Sequence, residues 1–132
     1  MSDLGQLLAA MEPVLRPGVF VFGVLPRGVS LDAAGIVASM REAEGVSVVM
    51  EESAAMEAGV QPVFRCAWIT LKVHSDLEAV GLTAAFASTL GQSGISCNVV
   101  AGTHHDHIFV PVERAQDALR SLLALQAAHS VP

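Results

Sequence analysis

Residues 63–74 alternate strictly along the chain. Ala67, Ile69, Leu71 and Val73 fall on one face of an extended segment, and Trp68, Thr70, Lys72 and His74 on the other. A strand with one wholly aliphatic face belongs to a sheet covered on that side. A tryptophan on the opposite face asks for a second layer or a partner. A single hydrophobic-in, polar-out strand of this kind points to an α+β chain with helices over one face of an antiparallel sheet.

The flanking segments fit that reading. Leu4, Leu7, Leu8 and Met11 recur at helical spacing behind Ser2 or Asp3 as a cap, and Pro13 stops the helix. Residues 18–24 read as a strand apolar on both faces, followed by a turn at Pro26, Arg27 and Gly28. Residues 29–45 admit two readings, a helix capped by Ser30 and running to Met40, or a strand over 36–41 entering a tight turn at residues 42–45. A strand over 46–51 and a short helix over 53–57, ended by Gly59, complete the first part.

After the 63–74 strand, Leu82, Phe86, Thr89 and Leu90 line a helix closed by Gly94. Two strands, 95–101 and 105–112, turn at Gly102 and Thr103. A final helix then carries Ala115, Ala118, Leu119, Leu122 and Gln126 on one side, with residues 129–132 as a frayed tail. The second part thus runs strand, helix, strand, strand, helix, most of a βαββαβ ferredoxin-like unit. The first part offers a degraded version of the same order. The expected architecture is two intimate halves, 1–62 with the N-terminal helix and 63–132, with no low-complexity linker between them.

With 132 residues, the chain is long enough to fold without metal or disulfide staples. Its 52 % hydrophobic and 15 % charged content is a heavy apolar load, which favours self-association, most simply a homodimer. A net charge of −6 with one lysine excludes the basic surface that nucleic acid or an anionic membrane requires. Two cysteines, Cys66 and Cys97, make no disulfide framework. The start of the chain lacks the basic region of a signal peptide and no apolar run reaches about 18 residues, so the cytoplasm is the expected location.

Residues 68–85, from Trp68, Ile69, Thr70 and Leu71 through His74, Ser75, Asp76 and Gly81, resemble the core motif of small bacterial ACT-like proteins. So do residues 94–102 and the run His105, Asp106, His107, Ile108, Phe109, Val110. Residues 41–45 resemble the first-half hairpin of that family, which favours the strand reading of 36–42. The resemblance implies two ACT-like halves, the first degenerate, related in architecture to ACT-type amino-acid sensors. It also implies that a ligand sits near the loop between the first strand and first helix of an ACT unit, usually at an interface. In this chain that region is residues 74–82 with residues 98–102 alongside. The implied ligand-binding set is His74, Ser75, Asp76, Leu77, Glu78, Gly81, Leu82, Asn98, Val99 and Val100.

Local chemistry agrees with that placement. Ser75 and Glu78 fit a capping box, and a helix start of this kind presents free amides to a carboxylate or phosphate. The ammonium of an amino acid would find an acceptor in Asp76 or Glu78. The plainer reading is that both acids only cap the helix. Gly81 costs about 1 kcal/mol inside a helix, so it marks either a helix start near Val80 or a close approach to the backbone.

His105 and His107 share a strand face with Asp106 on the other, and are weak metal candidates, since a zinc site needs three or four ligands. The plainer reading is a polar strand start with a hydrogen-bonded imidazole; another is a pH-sensitive interface. Asp106 is expected to hydrogen-bond to Ser96, Asn98 or a helix N-terminus rather than to catalyse. Cys66 and Cys97 read as small buried hydrophobes. No cofactor motif is present. The leading expectation is therefore a regulatory module, not an enzyme, that binds an amino acid or similar polar metabolite. The alternatives are a purely structural dimer and a metal-dependent enzyme at His105 and His107.

Overall fold

A computed structural model describes residues 3–32, 34–74 and 76–130. The chain opens with helix α1 (Leu4–Ala9), whose N-cap Asp3 accepts from the Gln6 amide. Pro13 does not merely end this helix. It begins a short strand β1 (Pro13–Leu15), after a reversal in which Glu12 takes a left-handed φ of 44°. Strands β2 (Phe20–Val24), β3 (Ile36–Glu42) and β4 (Gly45–Glu51) follow, then helix α2 (Glu52–Ala58), closed by a left-handed Gly59. The 29–45 region therefore contains a strand and a hairpin turn at Ala43 and Glu44, as the first-half resemblance favours.

The second half comprises β5 (Phe64–Leu71), helix α3 (Leu82–Gln92), β6 (Asn98–Ala101), β7 (Asp106–Pro111), a 3-10 turn over Val112–Arg114, and helix α4 (Ala115–His129). Both late strands are shorter than their apolar patterns suggest, and α4 includes His129 rather than fraying before it.

All strands pair antiparallel in one seven-stranded sheet, in the order β3-β4-β2-β5-β7-β6, with β1 also on β5. The order is a repeat. β2, β4 and β3 stand to one another as β5, β7 and β6 do. β5 serves both sets: its start pairs with β2 (Phe20↔Cys66), and its end pairs with β1 (Leu15↔Ile69). Along β5 the fourth-strand position of the first set and the first-strand position of the second are thus one strand. β1, from the chain start, supplies the fourth strand of the second set. That is the α+β, ferredoxin-like arrangement of two halves fused in one sheet.

The two faces differ. Ala67, Ile69, Leu71 and Val73 enter the main core with Leu7, Met11, Phe86, Leu90, Ile108, Val110 and Leu122, beneath α1, α3 and α4. Each such side chain contributes roughly 1.5–3 kcal/mol by burial. A smaller cluster, Val21, Val48, Met50, Ala55 and Val60, lies under α2. The helix-free face carries a third cluster, in which Phe20, Val49, Cys66 and Phe109 are joined by Trp68 and by Val37 and Val100. Val37 and Val100 belong to strands at opposite ends of the sheet order, so the sheet curls over its own open face. The cover that Trp68 requires is thus supplied in part by the same chain, from Val37 and Val100, while on its own sheet face Phe20 meets it edge-on at 5.3 Å and Phe109 stacks at 6.0 Å.

Candidate functional site

Helix α3 begins later than a capping box at Ser75 and Glu78 implies. Ser75 itself lies outside the described residues. Asp76 and Ala79 close a turn instead (Ala79 N–H to Asp76 C=O, 2.9 Å), and α3 starts at Leu82. Its N-cap is Gly81, at a φ of 102° that an L-residue adopts only with strain. A Cβ added there would sit 3.0 Å from Leu4 Cδ2. Both signals read from this glycine are present: it begins the helix, and what approaches its backbone is α1.

A glycine N-cap has no side chain to receive the first helical amides. The Ala85 N–H reaches Gly81 C=O at 2.9 Å, but the amides before it have no intrahelical acceptor. Leu82 and Thr83 of this first turn line a cavity of about 70 Å3 together with Asp76, Leu77, Ala79, Ala101 and Asp106. Asp106 is only 8 % exposed and lines this cavity. Burial pushes its carboxyl above the ordinary carboxylate range, with the neighbouring His107 pulling the other way. A buried acid and a helix start on one cavity make a cleft with both signs of polarity. At roughly 30 Å3 per water, the space accommodates about two waters or one charged head group.

The structure brings together Asp76, Leu77 and Leu82 from the expected set, and adds Thr83, Ala79, Ala101 and Asp106. Glu78 is exposed and does not line the cleft. His74 turns away toward His105, ring to ring at 4.7 Å, and His104 is also beside it. On β6, Val99 packs with the helix-covered core while Val100 joins the cluster on the far face, and Asn98 is exposed. Ala101 lies within the 98–102 segment that the resemblance implies, though outside the residue set drawn from it. The β6–β7 register, which sets Ala101 opposite Asp106, is what delivers it.

His105 and His107 do not converge. Trp68 Nε1–H donates to His107 Nδ1 at 3.1 Å, while His105 packs on His74. Among the described residues no group of three or more His, Cys, Asp or Glu side chains is placed to hold a metal ion. Burial pushes the Cys66 thiol up to about 12 and the Cys97 thiol up to about 11, so both are protonated, unreactive packing groups. No helix among the described residues is long and apolar enough to cross a membrane.

Comparisons with known proteins give consistent results. One family model described as an ACT domain matches residues 1–67, and a second, also an ACT domain, matches residues 63–124. The overlap of the two falls on the start of β5, the strand that both halves use. A Vibrio cholerae protein of unknown function, described as a possible transport protein, is 46 % identical, with a TM-score of 0.82 over 93 % of this chain and 95 % of that one. An Agrobacterium tumefaciens protein superposes with a TM-score of 0.68 at 18 % identity, covering 86 % and 87 %. The regulatory subunit of aspartate kinase from Thermus thermophilus, in its ligand-free form, gives 0.58 at 12 % identity, covering 88 % and 97 %, and at that identity shows shared fold alone. No protein of curated function matches the chain.

Proposed function

The chain belongs to the ACT-domain family, and from that premise we propose that it is a regulatory module whose α3 cleft binds an amino acid or a similar small zwitterion. The observation that carries this reading is the placement of the glycine-capped start of α3 and the buried Asp106 on one cavity. The ligand's carboxylate lies on the amides of α3, where the helix dipole and free N–H groups favour an anion. Its ammonium lies on Asp106. Each end relieves the desolvation of the group it meets, and two charge-assisted hydrogen-bond sets supply the roughly 4–8 kcal/mol of a millimolar to micromolar sensor.

The cleft takes the polar head of such a ligand. Its side chain extends past Leu77 and Val80, which are 69 % and 84 % exposed. Those two residues are where a second copy would close the site, and a homodimer acting in the cytoplasm is the form we propose. We take residues 1–62 and 63–132 as its two ACT-like halves in sequence, with α1 and β1 crossing over to complete the second, which takes the ligand. The resemblance in fold to aspartate kinase regulatory subunits supports control of another protein rather than catalysis. The exposed Leu77 and Val80 equally favour the second reading, a dimerisation module that takes no ligand.

A thermal-shift screen with the twenty amino acids and common nucleotides, followed by calorimetry, tests the proposal. A ligand at about 100 times its dissociation constant adds about 2.7 kcal/mol, a rise on the order of 10 °C. No shift with any compound at millimolar concentration, and no heat, removes the ligand-binding reading and leaves the dimerisation one.

A further inference from the structure

A second cavity, of about 360 Å3, opens on the helix-free face between β1, β5 and the start of β7, lined by Val14, Arg16, Thr70, Lys72 and His105. It is across the sheet from Asp106 and α3, and it does not depend on the reading of that cleft. Register places Val14 beside Thr70 and Thr70 beside His107, so these side chains share a face.

The cavity wall is built rather than incidental. Thr70 is buried, and its hydroxyl oxygen accepts from Arg16 Nε at 3.1 Å. The Arg16 guanidinium also lies over the Trp68 ring at 4.5 Å. Trp68 Nε1–H donates to His107 Nδ1, which makes that nitrogen an acceptor, and Thr70 Oγ1 lies 3.2 Å from it. Arg16 is thereby held by one N–H and by its flat face, while its other N–H groups remain for a further acceptor.

Three of the chain's seven Lys and Arg residues, Arg65, Arg114 and Arg120, make ion pairs. Arg16 and Lys72 make none among the described residues, yet they share one concavity in a chain of net charge −6. Glu12 meets Lys72 through its backbone carbonyl (3.3 Å from the Lys72 N–H) and forms no ion pair with it among the described residues. His105 Nδ1 is buried without a hydrogen-bond partner among the described residues.

We infer that this cavity binds a small organic anion, whose carboxylate or phosphate group is held by Arg16 and Lys72. Its volume is at the lower end of small-molecule sites, more than a bare oxyanion fills. Val14 gives the remaining carbon skeleton an apolar wall. The surroundings agree: burial first, then the Arg16 guanidinium and the neighbouring His105, hold His107 below the ordinary imidazole range, against the opposing pull of Asp106.

Trp68 is the single tryptophan of the chain and lies directly under Arg16, so its fluorescence reports on the site. Titrations use succinate, glycerol 3-phosphate and inorganic phosphate, with glycerol as the uncharged control, and calorimetry in parallel. A saturable response to succinate or to glycerol 3-phosphate is expected, and whichever responds identifies the anionic group. Lys72→Gln, and Arg16→Gln read by calorimetry because Arg16 touches the indole, are expected to weaken binding by about tenfold or more. Arg41→Gln, on the far edge strand, leaves it unchanged. Both altered side chains are exposed, and circular dichroism confirms that the variants fold. The inference is overturned if neither organic anion saturates by about 10 mM. It is equally overturned if Lys72→Gln and Arg16→Gln bind as the parent does, or if only inorganic phosphate binds and all variants take it equally.

Discussion

The two halves of the sheet share a strand order but not a helix set. Between β5 and β6 the second half carries α3, an eleven-residue helix with Leu82, Phe86 and Leu90 buried. At the equivalent place between β2 and β3, the described residues of 25–35 form turns alone. The first half still pairs its strands and still covers one face with α2, but its core is the smaller cluster around Val21, Val48 and Met50. A repeat can therefore lose a helix and keep its sheet, because the strands it retains are completed by a neighbour: β5 fills the missing edge of β2. What it loses is a helix start aimed at a strand turn, which is where the second half places its cleft. In the proposed reading the α3 cleft therefore belongs to the second half, and the first half has no counterpart to it among its described residues.

That division can be broken or sharpened by substitution. The largest effect is expected in the main core, where Phe86→Ala should cost about 3–5 kcal/mol and Met50→Ala, in the smaller core, about 2–5 kcal/mol. Because β5 belongs to both halves, each variant should shift one common urea transition. Two separated transitions would show that the halves are independent folding units. Next comes Gly23→Ala on β2. Its Cβ would lie 2.5 Å from Val60 Cγ1 and 2.7 Å from the Gln61 carbonyl oxygen, so a loss of about 1–3 kcal/mol is expected, visible as a lower urea midpoint. An unchanged midpoint would mean that the α2–β5 connection is free to move off the sheet. A smaller effect, about 1 kcal/mol, is expected for Asp3→Ala, which removes the cap of α1.

The last expectation concerns sign rather than size. Burial raises the Asp106 carboxyl, so the fold favours its protonated form. The stabilisation this gives is complete below the unfolded value and is lost as pH rises through the folded one. Asp106→Asn cannot ionise and so escapes this loss. The variant should be the more stable at pH 7, with the advantage vanishing in acid. A variant less stable at pH 7 would mean that the carboxylate already has a strong internal partner.

Much of this was legible in the residues. The alternation of 63–74 has one physical solution, and β5 places Ala67, Ile69, Leu71 and Val73 in the helix-covered core as the pattern requires. Gly59, Gly81 and Gly94 mark helix ends because the chain turns left-handed there. β1 was not legible. Three residues behind a proline carry no periodicity, and their pairing with β5 is a tertiary event. The cleft was half visible. Asp76, Leu77 and Leu82 could be read from the turn, and the 98–102 segment and a helix N-terminus near Asp106 were named separately, whereas that Ala101 and Asp106 meet in one cleft follows from a hairpin register no local pattern specifies. His74 shows the opposite failure. The resemblance put it in the ligand set, but its ring packs against His105 and it does not line the cleft.

The most direct test of the α3 cleft is a two-dimensional amide NMR titration of the intact chain with an amino-acid pool, then with each active component. The predicted result is a saturable set of shifts confined to Asp76–Ala79, Leu82–Ala84, Ala101 and Asp106, abolished by Asp106→Asn. Amides of the α3 start that stay unmoved while the pool is raised to millimolar concentration would contradict the account. So would shifts that persist unaltered in Asp106→Asn.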